Sequence, residues 1–157
     1  MLKTERLVIR VASDDEMRAV IAAQTDDGLK QAYTEMLNGA LTHPEERIWY
    51  AIWIIELSDG TYIGDLSFKG LSADGSVEIG YGLLGEFEGQ GYATEALQAI
   101  IGELHEMGFK RILAGFFEGN TASQKVMEKC GMHLNGNIDE EEYRGKIYKC
   151  YECEMEL

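Results

Sequence analysis

A chain of 157 residues points to one domain, residues 1–157, and 45% hydrophobic with 10% aromatic residues is enough to fill a core. Lys and Arg number 14 against 28 Asp and Glu, a formal net charge of −14. That balance argues against nucleic acid and anionic membrane as partners; it serves solubility or favours a cationic partner.

The first residues carry Lys3, Glu5, Arg6 and Arg10 with no apolar run behind them, so no leader segment is expected and the chain reads as cytoplasmic. The longest uncharged apolar runs, "YAIWII" and "ILAGFF", are far too short to span a bilayer. The three cysteines, an odd count, form no disulfide framework. Cys150 and Cys153 spell C-x-x-C, but within a strand pattern, where residues three apart point to opposite faces, so neither metal nor redox chemistry is expected there.

In chain order, "TERLVIRVA" (Thr4–Ala12) predicts a strand. Ser13 then offers an N-cap with Glu16 three residues on, the capping-box pattern. A second helix follows with Leu29, Ala32, Tyr33, Met36 and Leu37 on one face, and Pro44 forbids its continuation. Ile48–Leu57, Thr61–Gly70 and Val77–Leu84 read as an antiparallel meander separated by "SDG" and "SADGS".

From Tyr92 the pattern turns helical, with Ala93, Ala96, Leu97, Ile100, Ile101 and Leu104 on one stripe and Gly108 near the stop. Lys110–Phe117 is a buried strand, Asn120–Gly131 a short helix with Asn120 as its cap, and strands near Met132–Ile138 and Ile147–Met155 close the chain. An antiparallel half feeding a strand–helix–strand–helix unit makes the fold class α/β with a mixed sheet.

Two glycine patterns overlap in "VEIGYGLLGEFEGQGYATEA". Gly80, Gly82 and Gly85 spell the dinucleotide fingerprint, but that motif needs a tight turn and an immediate helix. Gly80 and Gly82 lie inside a strand pattern instead, which argues against NAD; no G-K-[ST] occurs either. Gly89 and Gly91 fall between a strand end and a helix start, where glycine lets a ligand approach the backbone and allows positive φ. The amides of Gly89, Gln90, Gly91, Tyr92, Ala93 and Thr94 then form a pyrophosphate site at a helix N-terminus, built without a basic side chain. On spacing alone, a glycine turn that merely ends the loop fits equally well.

"LLGEFEGQGYATEA" resembles the acetyl-CoA loop of the GNAT superfamily of N-acetyltransferases, with Glu86 where many members carry Gln or Arg. The form E-F-x-G-x-G-Y-A-x-E-A, "TERLVIR" and "GNTASQKVMEKCGM" resemble in particular the RimJ/RimL-like branch that acetylates ribosomal-protein N-termini. The resemblance covers nearly the whole chain. It implies a single-domain GNAT-like fold, a mixed and mostly antiparallel sheet of about seven strands flanked by helices, with splayed central strands.

It also implies the activity: acetyl transfer from acetyl-CoA to a primary amine, on a protein N-terminus or a small molecule, by direct attack and without a metal. The strand before the loop would offer the pantetheine arm backbone groups at Leu83 and Leu84, a peptide-like augmentation. Asn120 would contact the cofactor near the thioester or the pantetheine amide, and Ser123 would hydrogen-bond the departing thiolate; as residues of a helix start the two are also a cap and its third position. Glu78 stands where several members carry a general base, and its strand face includes Gly80 and Gly82, which would leave room for a substrate. A surface carboxylate is the simpler reading of Glu78.

Tyr33, Tyr81 and Tyr143 are candidate pocket walls or core residues, Cys130 reads as a small apolar packer, and Lys125 or Lys129 would suit the 3′-phosphate. The competing function is a non-catalytic acyl-CoA binding or sensing module on the same fold. The acceptor amine and the oligomeric state stay open, with a homodimer compatible with both.

Overall fold

The computed structural model describes residues 1–157, the side chain of Tyr143 excepted. The chain begins with β1 (Leu2–Lys3), β2 (Leu7–Val11), α1 (Asp14–Ala23) and α2 (Asp27–Thr42). A 3₁₀ turn at Pro44–Glu46 leads into a single helical turn, α3 (Arg47–Tyr50). Strands β3 (Trp53–Leu57), β4 (Tyr62–Leu71) and β5 (Ser76–Leu83) follow, then a 3₁₀ turn at Gly85–Phe87 and α4 (Tyr92–Glu106). The chain closes with β6 (Arg111–Phe117), α5 (Thr121–Lys129), β7 (His133–Tyr143) and β8 (Lys146–Glu156).

The strands form one sheet of eight in the order β1-β2-β3-β4-β5-β6-β8-β7, antiparallel except where β5 meets β6. The strand beyond the expected seven is the two-residue β1, which pairs with β2. The β5–β6 pairing runs only from Ser76–Arg111 to Ile79–Ala114. Beyond it β5 continues to Leu83 against β4, and β6 continues to Phe117 against β8. The two central strands therefore part at their C-terminal ends, which is the expected splay.

Alternation along the strands separates two faces. Val77, Ile79, Ile112 and Ala114 pack with Ala96, Leu97, Ile100 and Leu104 of α4, and Met127 of α5 joins them. On the opposite face Met17, Leu37 and Ala40 of α1 and α2 pack on Ile52 and Ile54. Glu78 and Gly82 lie on that second face of β5, to the side of the cover that α1 and α2 give Ile54.

Two predicted strands start later than expected. The strand expected from Ile48 starts only at Trp53, because the chain leaves the Pro44 turn as a helix. Trp53 Nε1–H donates to the Ile48 carbonyl at 2.8 Å, and the Trp49 ring sits edge-on against Phe68 and Phe109. Packing here overrides the β preference of "IWY". The first strand also starts late, at Leu7, because the Thr4 hydroxyl and the Arg6 side chain turn to Glu95 of α4.

Candidate functional site

The loop before α4 has the conformation its glycines were expected to allow. Gly89 has φ +74° and Gly91, the N-cap of α4, has φ +83°. Both lie in the left-handed region that disfavours a Cβ. No atom comes within 4 Å of the position a Cβ at Gly89 would take, so the backbone there is open to approach. No side chain caps α4. The other helices of eight residues or more are all capped: α1 by Ser13, α2 by Asp26 and α5 by Asn120.

A cation also reaches this loop, contrary to the expectation of a site without one. Arg6 Nη1–H donates to the Gln90 carbonyl at 3.0 Å, its Nε–H to Glu95 Oε1 at 2.8 Å, and its guanidinium lies 4.3 Å from the Tyr92 ring centroid. Glu95 also accepts from the Arg6 amide at 2.9 Å and from the Thr4 hydroxyl. Burial raises the Glu95 carboxyl, but the Thr4 and Arg6 hydrogen bonds outweigh it and the net shift is downward. The same Glu95 bond raises the Arg6 guanidinium. Thr4, Arg6 and Glu95 thus brace the loop. They stand in "TER" and "ATEA", motifs quoted above for resemblance, and only the folded chain shows that the two meet. The Gln90 side-chain amide donates to the Glu86 carbonyl at 3.1 Å, at the surface.

The two residues expected to offer backbone groups at the end of β5 differ. The Leu84 N–H donates to the Ile63 carbonyl at 2.8 Å, and the Leu84 carbonyl accepts from Phe87 at 2.9 Å. Leu84 is therefore already engaged within the chain. Successive strand residues send their backbone groups to alternate sides. With Leu84 turned to β4, those of Leu83 and Tyr81 point toward β6, where the strands have parted. The edge of β5 left free is thus that of Tyr81 and Leu83.

Asn120 and Ser123 meet at the start of α5, where Asn120 Oδ1 accepts the Ser123 amide at 3.2 Å. The Ser123 hydroxyl lies 3.3 Å from the Tyr81 hydroxyl, which joins the splayed strand to α5. Burial raises the Tyr81 phenol, the Ser123 bond pulling the other way, so it stays protonated and can donate. Tyr81 belongs partly to the core and partly to this junction; the Tyr143 side chain lies outside the described residues.

On the second face, the end of the Lys69 side chain occupies the space over Gly80. A Cβ there would fall 2.7 Å from Lys69 Cε. Lys69 is the extra residue of a β-bulge between Phe68 and Gly70, and its stem folds over Gly80. Of Gly80 and Gly82, it is Gly82 that faces open space. Glu78 is half-buried on that face, one alternate position before Gly80.

Cys153 is buried on the α4 side, whereas Cys150 lies on the other face beside Gly115. Burial raises both thiols, and pushes that of Cys130 up to about 11. Among the described residues no three His, Cys, Asp or Glu gather in a metal-binding group. Among the described residues no helix is long and apolar enough to cross a membrane.

Known proteins share this architecture. The crystal structure of a GNAT-family acetyltransferase from Bacillus anthracis superposes with a TM-score of 0.76 at 24% identity, covering 99% of this chain and 97% of that one. RimL, a ribosomal L7/L12 α-N-protein acetyltransferase crystallised with coenzyme A, gives 0.81 at 20% identity over 98% and 96%. A point mutant of the spermidine N-acetyltransferase SpeG from Vibrio cholerae gives 0.81 at 14% identity over 98% and 95%. In sequence, the uncharacterized N-acetyltransferase YoaA of Bacillus subtilis (strain 168) is 26% identical over 92% of this chain and 89% of its own. The acetyltransferase (GNAT) domain family matches residues 3–133, which takes in the brace, the glycine loop, the splay and Ser123, and the chain accordingly belongs to the GNAT acetyltransferases.

Proposed function

We propose that the protein transfers the acetyl group of acetyl-CoA to a primary amine. The observation that carries this reading is the α4 N-terminus, uncapped and preceded by two glycines with positive φ. Its unpaired amides and partial positive charge suit a pyrophosphate. Arg6 adds a fixed cation beside it, which matters in a chain of net charge −14. Tyr81 and Leu83 would hold the pantetheine arm along the free edge of β5.

A neutral amine attacks the thioester carbonyl carbon. The C–S bond then breaks, the thiolate leaves with the electron pair, and the nitrogen gives up one proton as the amide forms. A substrate α-amine, with an ordinary pKa of about 8, loses its ammonium proton readily, whereas a lysine-like amine near 10.4 needs a base. Glu78 is that base in our reading, acting from the second face. The Ser123 hydroxyl, 3.3 Å from the Tyr81 hydroxyl, would hydrogen-bond the leaving thiolate. A ribosomal-protein N-terminus and a small cationic amine are both acceptors that structural neighbours name.

Calorimetric titration with acetyl-CoA, CoA and NAD tests the reading, followed by thiol release with an amine panel. We expect the first two ligands to bind and NAD not to. Ser123→Ala should lower kcat roughly tenfold, the scale of one hydrogen bond to a charged group, and leave the acetyl-CoA Kd in place. Folded protein that ignores acetyl-CoA would overturn the function and leave only the family fold.

A further inference from the structure

Asp65 is a half-buried carboxylate that the reaction described above does not use. It lies on the second face of β4, paired across the sheet with Gly82. Tyr33 of α2 donates its hydroxyl to both carboxylate oxygens, at 3.0 and 3.2 Å, and Tyr62 donates to one of them at 2.7 Å. Tyr62 reaches this face because the ladder to β3 slips by one residue, so that Tyr62 opposes Glu56 while Gly64 opposes Ile55. Chain geometry thus brings two phenols to one carboxylate.

The arrangement is unbalanced in charge. Burial raises both phenols, so they remain neutral donors. Burial also raises the Asp65 carboxyl, against the pull of its two hydrogen bonds. Among the described residues no Lys, Arg or His forms an ion pair with it. A buried carboxylate is costly unless a cation meets it, and a carboxylate has about four lone-pair sites, more than two phenols fill.

The space for such a cation is beside it. No atom comes within 4 Å of a Cβ built on Gly82, which is exposed and directly opposite Asp65. Paired positions stand about 5 Å apart, so a group over Gly82 is within reach of the carboxylate. Gly82 also belongs to the stretch of β5 that has parted from β6. From Asp65 to the far side of that gap is two strand spacings, or about 10 Å. Lys69, folded over Gly80, lies between this position and Glu78. Glu56 on the same face is already paired with Arg10.

We propose that Asp65, held by Tyr33 and Tyr62, binds an ammonium group of the acceptor other than the amine that is acetylated, seated over the open position at Gly82. The acceptor class is then a compound with two amines separated by a spacer, one at Asp65 and one at the gap. This rests on the acetyl-transfer reading. The net charge of −14 would also draw such a dication toward the protein.

The test compares 1,6-diaminohexane with 1-aminohexane, which differ in the second amine alone, and follows thiol release and acetyl-CoA affinity together. Wild type should prefer the diamine by about tenfold or more in kcat/KM, the scale of one charge-assisted hydrogen bond. Asp65→Asn should bring that ratio close to one, through KM for the diamine, with the acetyl-CoA Kd retained. Gly82→Phe, at a strand position without positive φ, should fill the space and lower the same ratio, which keeps the test valid if Asp65→Asn folds poorly. A ratio that survives either change in folded protein, or a wild type without preference, overturns the subsite. Transfer to neither amine while acetyl-CoA binds overturns it too and leaves the cofactor reading standing, whereas failure to bind acetyl-CoA removes that reading itself.

Discussion

The helices α4 and α5 both begin where the sheet opens, and they solve the same problem in opposite ways. Each leaves N–H groups without a partner in its first turn. At α5, Asn120 turns its side-chain oxygen onto the Ser123 amide and satisfies one of them. At α4 the capping position is Gly91, which has no side chain to offer, and the chain leaves the amides facing outward. The first is a structural stop. The second stays open, braced by Arg6 and Glu95, and is the place we propose for the pyrophosphate. Helix starts on neighbouring elements can therefore be told apart by what occupies the cap.

Giving α4 a cap of its own should have the largest effect. Gly91→Asp places a carboxylate where the pyrophosphate would sit, at a left-handed φ that Asp tolerates better than most residues. Like charges set against each other cost several kcal/mol, so the acetyl-CoA Kd should weaken by about 100-fold or more. The melting temperature should fall modestly, because an Asp at this left-handed φ is strained by roughly 1 kcal/mol. Unchanged affinity in the folded variant would remove the α4 terminus as the anion site.

The reverse experiment at α5 is milder. Asn120→Ala deletes a cap and should cost about 1 kcal/mol of stability. Asn120→Ser keeps a capping oxygen and should recover most of that loss. If the Asn120 amide also contacts the cofactor, Ser will restore the melting temperature and leave the acetyl-CoA KM raised. Full recovery of both by Ser would make Asn120 a cap alone.

The caps and the glycine loop were legible in the sequence because they are local: Ser13 with Glu16, Asn120 with Ser123, and Gly89 with Gly91 each lie within a few residues. The splay of the central strands came from the resemblance, and the strand order beyond the meander was not read. What could not be read joins distant positions. The Arg6–Glu95 brace spans 89 residues, and Asp65 meets Tyr33 across 32. The Lys69 bulge hid for another reason: a one-residue slip leaves no mark in the alternation of "TYIGDLSFKG", yet it decides that Gly82, not Gly80, is open. The short helix at Arg47–Tyr50 was missed because its residue types prefer strands and only Trp49 packing says otherwise.

A third helix start sets the scale of the smallest effect. The cap of α1 is charged: Glu16 accepts from the Ser13 amide at 3.0 Å and from Arg10 at 2.6 and 2.8 Å. Arg10 above all holds the Glu16 carboxyl down to about 2, from an ordinary value of 4.5. A depressed carboxyl adds stability that is complete above its unfolded pKa and disappears as pH falls through the folded one. The α1 contribution should thus be intact above 4.5 and fade toward 2. Glu16→Gln keeps a capping-box residue and removes the charge. Its deficit in melting temperature should be present near neutral pH and shrink steadily across that window, by a small amount because Glu16 is partly exposed. A deficit that stays constant down to about pH 2 would mean that the Arg10 pairing does not stabilise α1. The α4 terminus has its own carboxylate one turn in, Glu95, which Thr4 and Arg6 hold down against the upward pull of burial, so acid should loosen the Arg6 brace as well as the α1 cap.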